Sequence, residues 1–389
     1  MQAIRLLQER GYSADDVHNA MLLQPVIVDG LLFAAEFRET WLPLWALELI
    51  AKVLLGAWLF YFGACVGSFL NVVIWRLPRG ESLVSPASHC PKCGTPLRAV
   101  DNIPIVSYLL LRGRCRACKE PISPRYAIVE AVTAALFVAL VLRFGPGWQA
   151  LAYCLFFAAL LAALVIDLEM FLIPDELNTF ALGVGVALGV AGMIGGAGAA
   201  RPIMGWVPPF LLGAMVCSAL FVFVQLLGYA LFRKEAMGDG DVKLARAIGA
   251  MLPLGQALVS FLLAIAIGAI VGLLVVLFRR KQGGAEEEPE EEVAEEAEEE
   301  HGLRGILLYG LMYVFFVDLA LQFGLWVRGL MGGGAGKADA VPLAEEEEDF
   351  HPGLTHIPFG PFMVVGAFAA VFVGDRFIHW YLVWARLAQ

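Results

Sequence analysis

Stretches of about 20 predominantly apolar residues recur along this chain from residue 43 onward, and that is the length an α-helix needs to cross a hydrocarbon core of roughly 30 Å. Lipid offers backbone groups no hydrogen-bond partners, so runs of this length are helical when they cross. The expected fold is an all-α polytopic membrane protein with about 8 transmembrane helices. Over 389 residues, 59% are hydrophobic and 16% charged, against about a quarter charged in a soluble domain. An ordinary soluble enzyme is therefore excluded, as are disordered, collagen-like and disulfide-scaffold chains.

Spans are expected at about 43–66, 126–143, 147–166, 177–195 and 207–232, with a less apolar helix at 242–254 and another span at 256–278. A further apolar segment covers 305–330, and the last span is expected to begin after the Ile357-to-Phe362 stretch. The 305–330 segment carries Asp318 near its middle, which is expensive in lipid. It reads as an interfacial helix, a re-entrant hairpin or a span packed against the others. The domain reading is an N-terminal helical extension at 1–42, a first span at 43–75, a polar Cys-bearing domain at 76–125, a membrane core at 126–278, an acidic insertion at 279–355 and a last span at 356–389. No secretory signal peptide is evident, because 1–40 holds no short apolar stretch after a basic start.

The net charge of −10 is a local effect. Glu286 to Glu300 contains 11 glutamates and Glu345 to Asp349 adds five acids; taking those 16 from the 37 acids leaves 21 against 27 Lys and Arg. Such runs read as a solvated tether. The rest is mildly basic, and its basic residues cluster. Nine Lys and Arg lie in 76–125, a density that marks a cytoplasmic loop. Counting spans puts Arg233-Lys234 on the same face, and Arg279-Arg280-Lys281 too if 242–254 and 256–278 both cross. Asp167 and Asp241 then share that face. A multi-pass protein in contact with the lipid bilayer is expected, with no nucleic-acid partner.

Three motifs carry chemistry. Cys90-x-x-Cys93 and Cys115-x-x-Cys118 can each form a knuckle presenting two thiolates, and two knuckles complete a tetrahedral zinc site. Disulfides and free thiols are the alternatives, and a cytoplasmic address argues against disulfides. Four thiolates leave no open position, so such a zinc is structural. The second motif runs Ile166-Asp167 to Pro174-Asp175. Alone, Asp167 reads as an acid ending a span at the interface, with Pro174 forcing a turn after it. The third is Gly238-Asp-Gly240-Asp241-Val-Lys243. Alone, Asp241 reads as a helix N-terminal acid; a phosphate loop is a weak alternative without a preceding soluble strand. Together the two aspartates become a candidate dyad. Like charges a few Å apart cannot both ionise, so one proton is shared, the arrangement that hydrolyses an amide without metal or covalent intermediate.

These residues resemble the type IV prepilin leader peptidases, membrane aspartyl proteases that also N-methylate their product. Gly67-Ser-Phe-Leu-Asn71 to Arg76-Leu-Pro78 is similar to the family's opening motif, the two Cys pairs to its cytoplasmic zinc-type domain, and Ser123-Pro-Arg125 to Glu130 to its entry into the second span. Asp167, ahead of Ile173-Pro-Asp175, and Asp241, in Gly240-Asp-Val-Lys243, match the two catalytic aspartates, and Ile357-Pro-Phe-Gly-Pro-Phe362 matches the start of the last span. The resemblance implies a type IV prepilin or pseudopilin substrate with a basic leader, serving a type IV pilus or type II secretion. It implies cleavage after a glycine at the cytoplasmic face of the bacterial inner membrane. It further implies S-adenosylmethionine as donor for methylating the new N-terminal residue. Lys243, Glu130, Gly240 and Asp175 are secondary candidates, Glu130 for binding the substrate amine.

The chain departs from the family's pattern in its N-terminal extension, in the third acids Asp239 and Asp175, and in 279–355, which has no recognised counterpart. Asp239 lies beside the dyad, where its charge would raise the pKa of Asp241. The other readings are a peptidase without methylation, a zinc-bearing transporter using the aspartates as a proton relay, and a non-catalytic pilus or secretion assembly factor.

Overall fold

The computed structural model describes residues 44–195, 207–232, 237–281, 303–321 and 358–385. The expected extension at 1–42, the pair Arg233-Lys234 and both acidic runs lie outside these residues. Among the described residues there are helices, turns and isolated bridges, and no strand. The helices are α1 (Leu44–Arg76), α2 (Val106–Leu110), α3 (Arg125–Phe144), α4 (Trp148–Met170), α5 (Asp175–Ile194), α6 (Pro209–Phe232), α7 (Asp239–Met251), α8 (Leu254–Lys281), α9 (Leu303–Val314) and α10 (Gly360–Trp384).

Seven of these, α1, α3, α4, α5, α6, α8 and α10, are long and apolar enough to cross a membrane. The difference from the expected number lies in two places. The α7 helix has 13 residues, about 20 Å at 1.5 Å per residue, too short to span the core alone. Within 305–330, α9 stops at Val314, Phe315 and Phe316 turn, and helix resumes over 317–321, where the described part of this segment ends. Phe316 takes a left-handed φ of 59° at that turn.

The chain forms two compact units. The first joins the N-terminal part of α1, residues 90–124, α3 and the start of α4. Glycines let α1 lie directly on α3: a Cβ at Gly67 would stand 2.7 Å from the Glu130 Cα, and one at Gly63 2.9 Å from the Ala134 Cα. Close backbone approach through small residues is how helices associate where lipid removes the hydrophobic drive.

The second unit holds the end of α1 and everything from Leu155 onward. Arg76 closes α1 by turning back onto the loop behind it, donating to the carbonyls of Ser82 (2.9 Å) and Pro86 (2.7 Å). At the centre of this unit α7 packs against α5 and α6, α8 against α10, and α9 against α6. Every residue of α7 from Leu244 to Met251 is buried, as expected of a helix enclosed on all sides. Gly213 of α6 and Gly249 of α7 touch backbone to backbone, and Gly366 of α10 meets the Ser260 carbonyl of α8 in the same way. This packing fixes the N-terminus of α7, and with it Asp241.

Candidate active site and metal centre

The second unit brings together three chain segments far apart in sequence. Asp167 lies in the last turn of α4, 6% exposed. The span expected to end at 166 continues to Met170, so Asp167 is held by helical backbone instead of lying beyond it. The helix ends at Phe171, whose N–H donates to the Asp167 carbonyl (3.0 Å) in a left-handed turn, φ 53°. Pro174, extended at φ −61°, ψ 137°, then starts α5. This reversal lays Ile173 against two glycines: a Cβ on Gly240 would lie 3.2 Å from the Ile173 Cβ, and one on Gly360 3.0 Å from its Cδ1. Gly360, the first residue of α10, donates its N–H to the Asp167 carboxylate, satisfying a donor that the helix start leaves without an internal partner. A side chain at Gly360 would collide with Asp167 Oδ2.

Asp241 occupies the first turn of α7, behind Gly238 at the cap. Burial pushes its pKa from the ordinary 3.8 up to about 7, and the nearby charge of Asp167 adds to the rise. Two aspartates from α4 and α7 therefore sense each other in a site shielded from water. Asp239, expected to supply that perturbation, does not. Its carboxylate accepts from Gln225 Nε2 (3.1 Å) and from the Tyr313 hydroxyl (3.0 Å).

The secondary candidates take definite places. Lys243 Nζ reaches both carboxylate oxygens of Asp175 at 2.7 Å, tying α7 to the start of α5. Gly240 packs on Ile173, and its carbonyl faces Asn178 Nδ2 at 3.5 Å. Glu130, in the first unit, accepts the Ile105 backbone N–H at 2.7 Å and a hydrogen bond from Ser68. Ile105 has a left-handed φ of 62°, a conformation a branched residue adopts only under constraint. Glu130 thus holds the chain between the Cys pairs to α3.

Sequence reasoning missed several participants. Gln225 and Asn178 looked like ordinary span residues, and Gly360 was named only as part of the motif at the start of the last span. Arg246 is 2% exposed and makes a two-pronged ion pair with Asp318, 2.7 and 2.8 Å. The one signal available was Asp318 itself, an acid in an apolar run that needed a cation.

The metal centre belongs to the first unit. The sulfur atoms of Cys90, Cys93, Cys115 and Cys118 all lie within 4.8 Å of one another, near the edge of about 3.8 Å set by tetrahedral Zn–S bonds of about 2.3 Å. The two knuckles repeat one pattern. The N–H of Cys90 donates to Thr95 O (3.0 Å) and that of Gly94 to Cys90 O (2.9 Å). Likewise Cys115 N–H donates to Glu120 O (2.8 Å) and Lys119 N–H to Cys115 O (3.0 Å). Gly94 and Lys119 occupy the matching left-handed position, φ 69° and 64°. Hydrogen bonds with Thr95 bring the Cys93 thiol down to about 6, favouring the thiolate that binds metal. This cluster could hold a metal ion.

Residues 61–144 match the bacterial peptidase A24 N-terminal domain, and residues 154–273 match the type IV leader peptidase family. A prepilin leader peptidase/N-methyltransferase of Myxococcus xanthus is 34% identical over 329 residues, 82% of this chain and 91% of that protein. Proteins of the same name from Aeromonas hydrophila and Klebsiella pneumoniae are 37% and 36% identical, covering 57% and 58% of this chain and 81% and 93% of their own lengths. No solved structure matches significantly. The chain belongs to the type IV leader peptidase family.

Proposed function

We propose that this protein cleaves the basic leader from type IV prepilins or pseudopilins at the cytoplasmic face of the bacterial inner membrane, and then methylates the new N-terminal residue. The observation that carries the reading is the approach of Asp167 and Asp241 from two helices in a buried site, Asp241 perturbed by Asp167. One proton is shared between the two carboxylates. The ionised carboxylate takes a proton from water as its oxygen adds to the scissile carbonyl carbon. The protonated partner gives its proton to the carbonyl oxygen, forming a tetrahedral intermediate. Collapse breaks the C–N bond, and a proton passes to the leaving amine. Burial strengthens these transfers, because the site replaces water with fixed groups.

Gly360 keeps Asp167 in place through its N–H. Gly360→Ala is expected to lower cleavage about 10²-fold, the usual consequence of moving a reacting group by about 1 Å. A wild-type rate for this variant, measured on purified protein, would show that α10 can withdraw without disturbing Asp167.

The four cysteines would hold zinc, and a zinc closed by four thiolates is a structural cross-link for its domain. The methyl donor implied by the family is S-adenosylmethionine. Cys90→Ser with Cys93→Ser is expected to strip the metal, read by elemental analysis, and to reduce methylation more than cleavage. Metal content equal to wild type would remove the cluster from this role. The whole reading is tested by incubating the purified protein with a prepilin and weighing the product. Loss of the leader reports the peptidase, one added methyl group reports the transferase, and neither change overturns the proposal.

A further inference from the structure

The α7 helix carries four charged residues: Asp239, Asp241, Lys243 and Arg246. Three of them are engaged by a single residue outside the matched family region, which ends at 273. The Tyr313 hydroxyl donates to Asp239 Oδ2 (3.0 Å). Its ring lies under Lys243 Nζ, 5.1 Å from the centroid, and 6.0 Å from the Arg246 guanidinium carbon. Its carbonyl accepts from Arg246 Nη1 (3.0 Å). Tyr313 is itself buried at 7% exposure. The same segment supplies Asp318 to Arg246, and Gly310 of α9 lets its backbone close onto Val222 of α6. Asp241 is the one charged group of α7 that this segment leaves alone.

We propose that Tyr313 is a positioning residue of the peptidase, sorting the charges of α7 so that Asp241 faces Asp167 while Asp239 is held aside. The proposal rests on the peptidase reading above. Among the described residues, the charged and titratable groups around this point are Asp167 from α4, Asp175 from α5, Asp239, Asp241, Lys243 and Arg246 from α7, and Tyr313 and Asp318 from the segment. From α6 comes the neutral Gln225, and from α10 the N–H of Gly360. Asp175 is matched by Lys243 and Asp318 by Arg246. Among the described residues Asp239 is matched by no cation; its carboxylate accepts from the Gln225 amide and the Tyr313 hydroxyl. Removing the hydroxyl leaves one of its oxygens without a donor and frees a like charge two residues from Asp241. Such a charge favours protonation of its neighbour.

The test is the pH profile of prepilin cleavage by the full-length protein carrying Tyr313→Phe, which keeps the ring and the carbonyl and so preserves the contacts to Lys243 and Arg246. The expected result is a profile moved to higher pH by about one unit, with kcat lowered about tenfold and KM unchanged. Adding Asp239→Asn to Tyr313→Phe removes the freed charge and should return the profile to its wild-type position. An active wild type with an unmoved Tyr313→Phe profile overturns this proposal alone. So does a double variant whose profile stays displaced, since the shift would then owe nothing to Asp239. A wild type that cleaves no prepilin overturns the peptidase reading and this proposal with it.

Discussion

Asp167→Asn and Asp241→Asn should each lower leader cleavage by about 10⁴-fold, the upper range for a positioned proton-transfer group, while leaving the protein folded. Asparagine has the shape of aspartate, and its oxygen can still accept the Gly360 N–H at position 167. Neither change opens a cavity, and each removes one member of a like-charged pair. Unfolding of the detergent-solubilised protein should therefore occur no more readily than in wild type. The two losses should not add, because residues that act as a unit fail together. Residual activity in the double variant equal to wild type would leave the aspartates with no role. The pH dependence follows from Asp241. Its pKa is raised to about 7, so the singly protonated pair is lost as pH climbs through that value, and cleavage should decline on the alkaline side. The same sign applies to stability. The folded state binds this proton more tightly than the unfolded chain does, so the group's contribution is greatest below its ordinary 3.8 and is lost as pH rises through about 7.

Much of this was legible before any coordinates. Apolar runs located the long helices within a few residues, because the bilayer sets one length scale and one polarity rule for all of them; the exception is α1, which runs to Arg76, ten residues past the expected end at 66. Local motifs located the cysteine knuckles, where the chemistry lies within six residues. What could not be read was anything set by contact between distant segments. Charge topology put Asp167 and Asp241 on one face and made a dyad a candidate, but the Gly213–Gly249 contact that sets α7 against α6 has no local signature. Asp239 illustrates the failure well. Its spacing from Asp241 suggested a direct electrostatic effect. In the fold that carboxylate is held by Gln225, 14 residues upstream, and Tyr313, 74 residues downstream. For 305–330 the composition left an interfacial helix, a re-entrant hairpin and a packed span open, because the bend at Phe316 and the buried pairing of Asp318 with Arg246 are tertiary features with no local signature.

Asp318→Ala should destabilise the protein by about 3–5 kcal/mol, the usual effect of leaving one member of a buried ion pair uncompensated. Arg246 is nearly inaccessible to solvent, and its Nε already lacks a partner. Without Asp318, both Nη groups lose their charged acceptor, and the Tyr313 carbonyl alone cannot neutralise a guanidinium. The cation must then draw in water or push 303–321 away from α7. Substituting both partners, Arg246→Met with Asp318→Leu, should recover most of the lost stability, since an apolar pair of similar volume carries no desolvation penalty. Denaturant unfolding of the two variants beside wild type checks this. A single variant as stable as wild type would mean that solvent reaches Arg246 and that the segment is not anchored there. Recovery of stability in the double variant without recovery of cleavage would separate two functions of the segment. The ion pair would then supply binding energy for docking, and the orientation of Tyr313 over the N-terminus of α7 would depend on the direction that Arg246 gives its carbonyl.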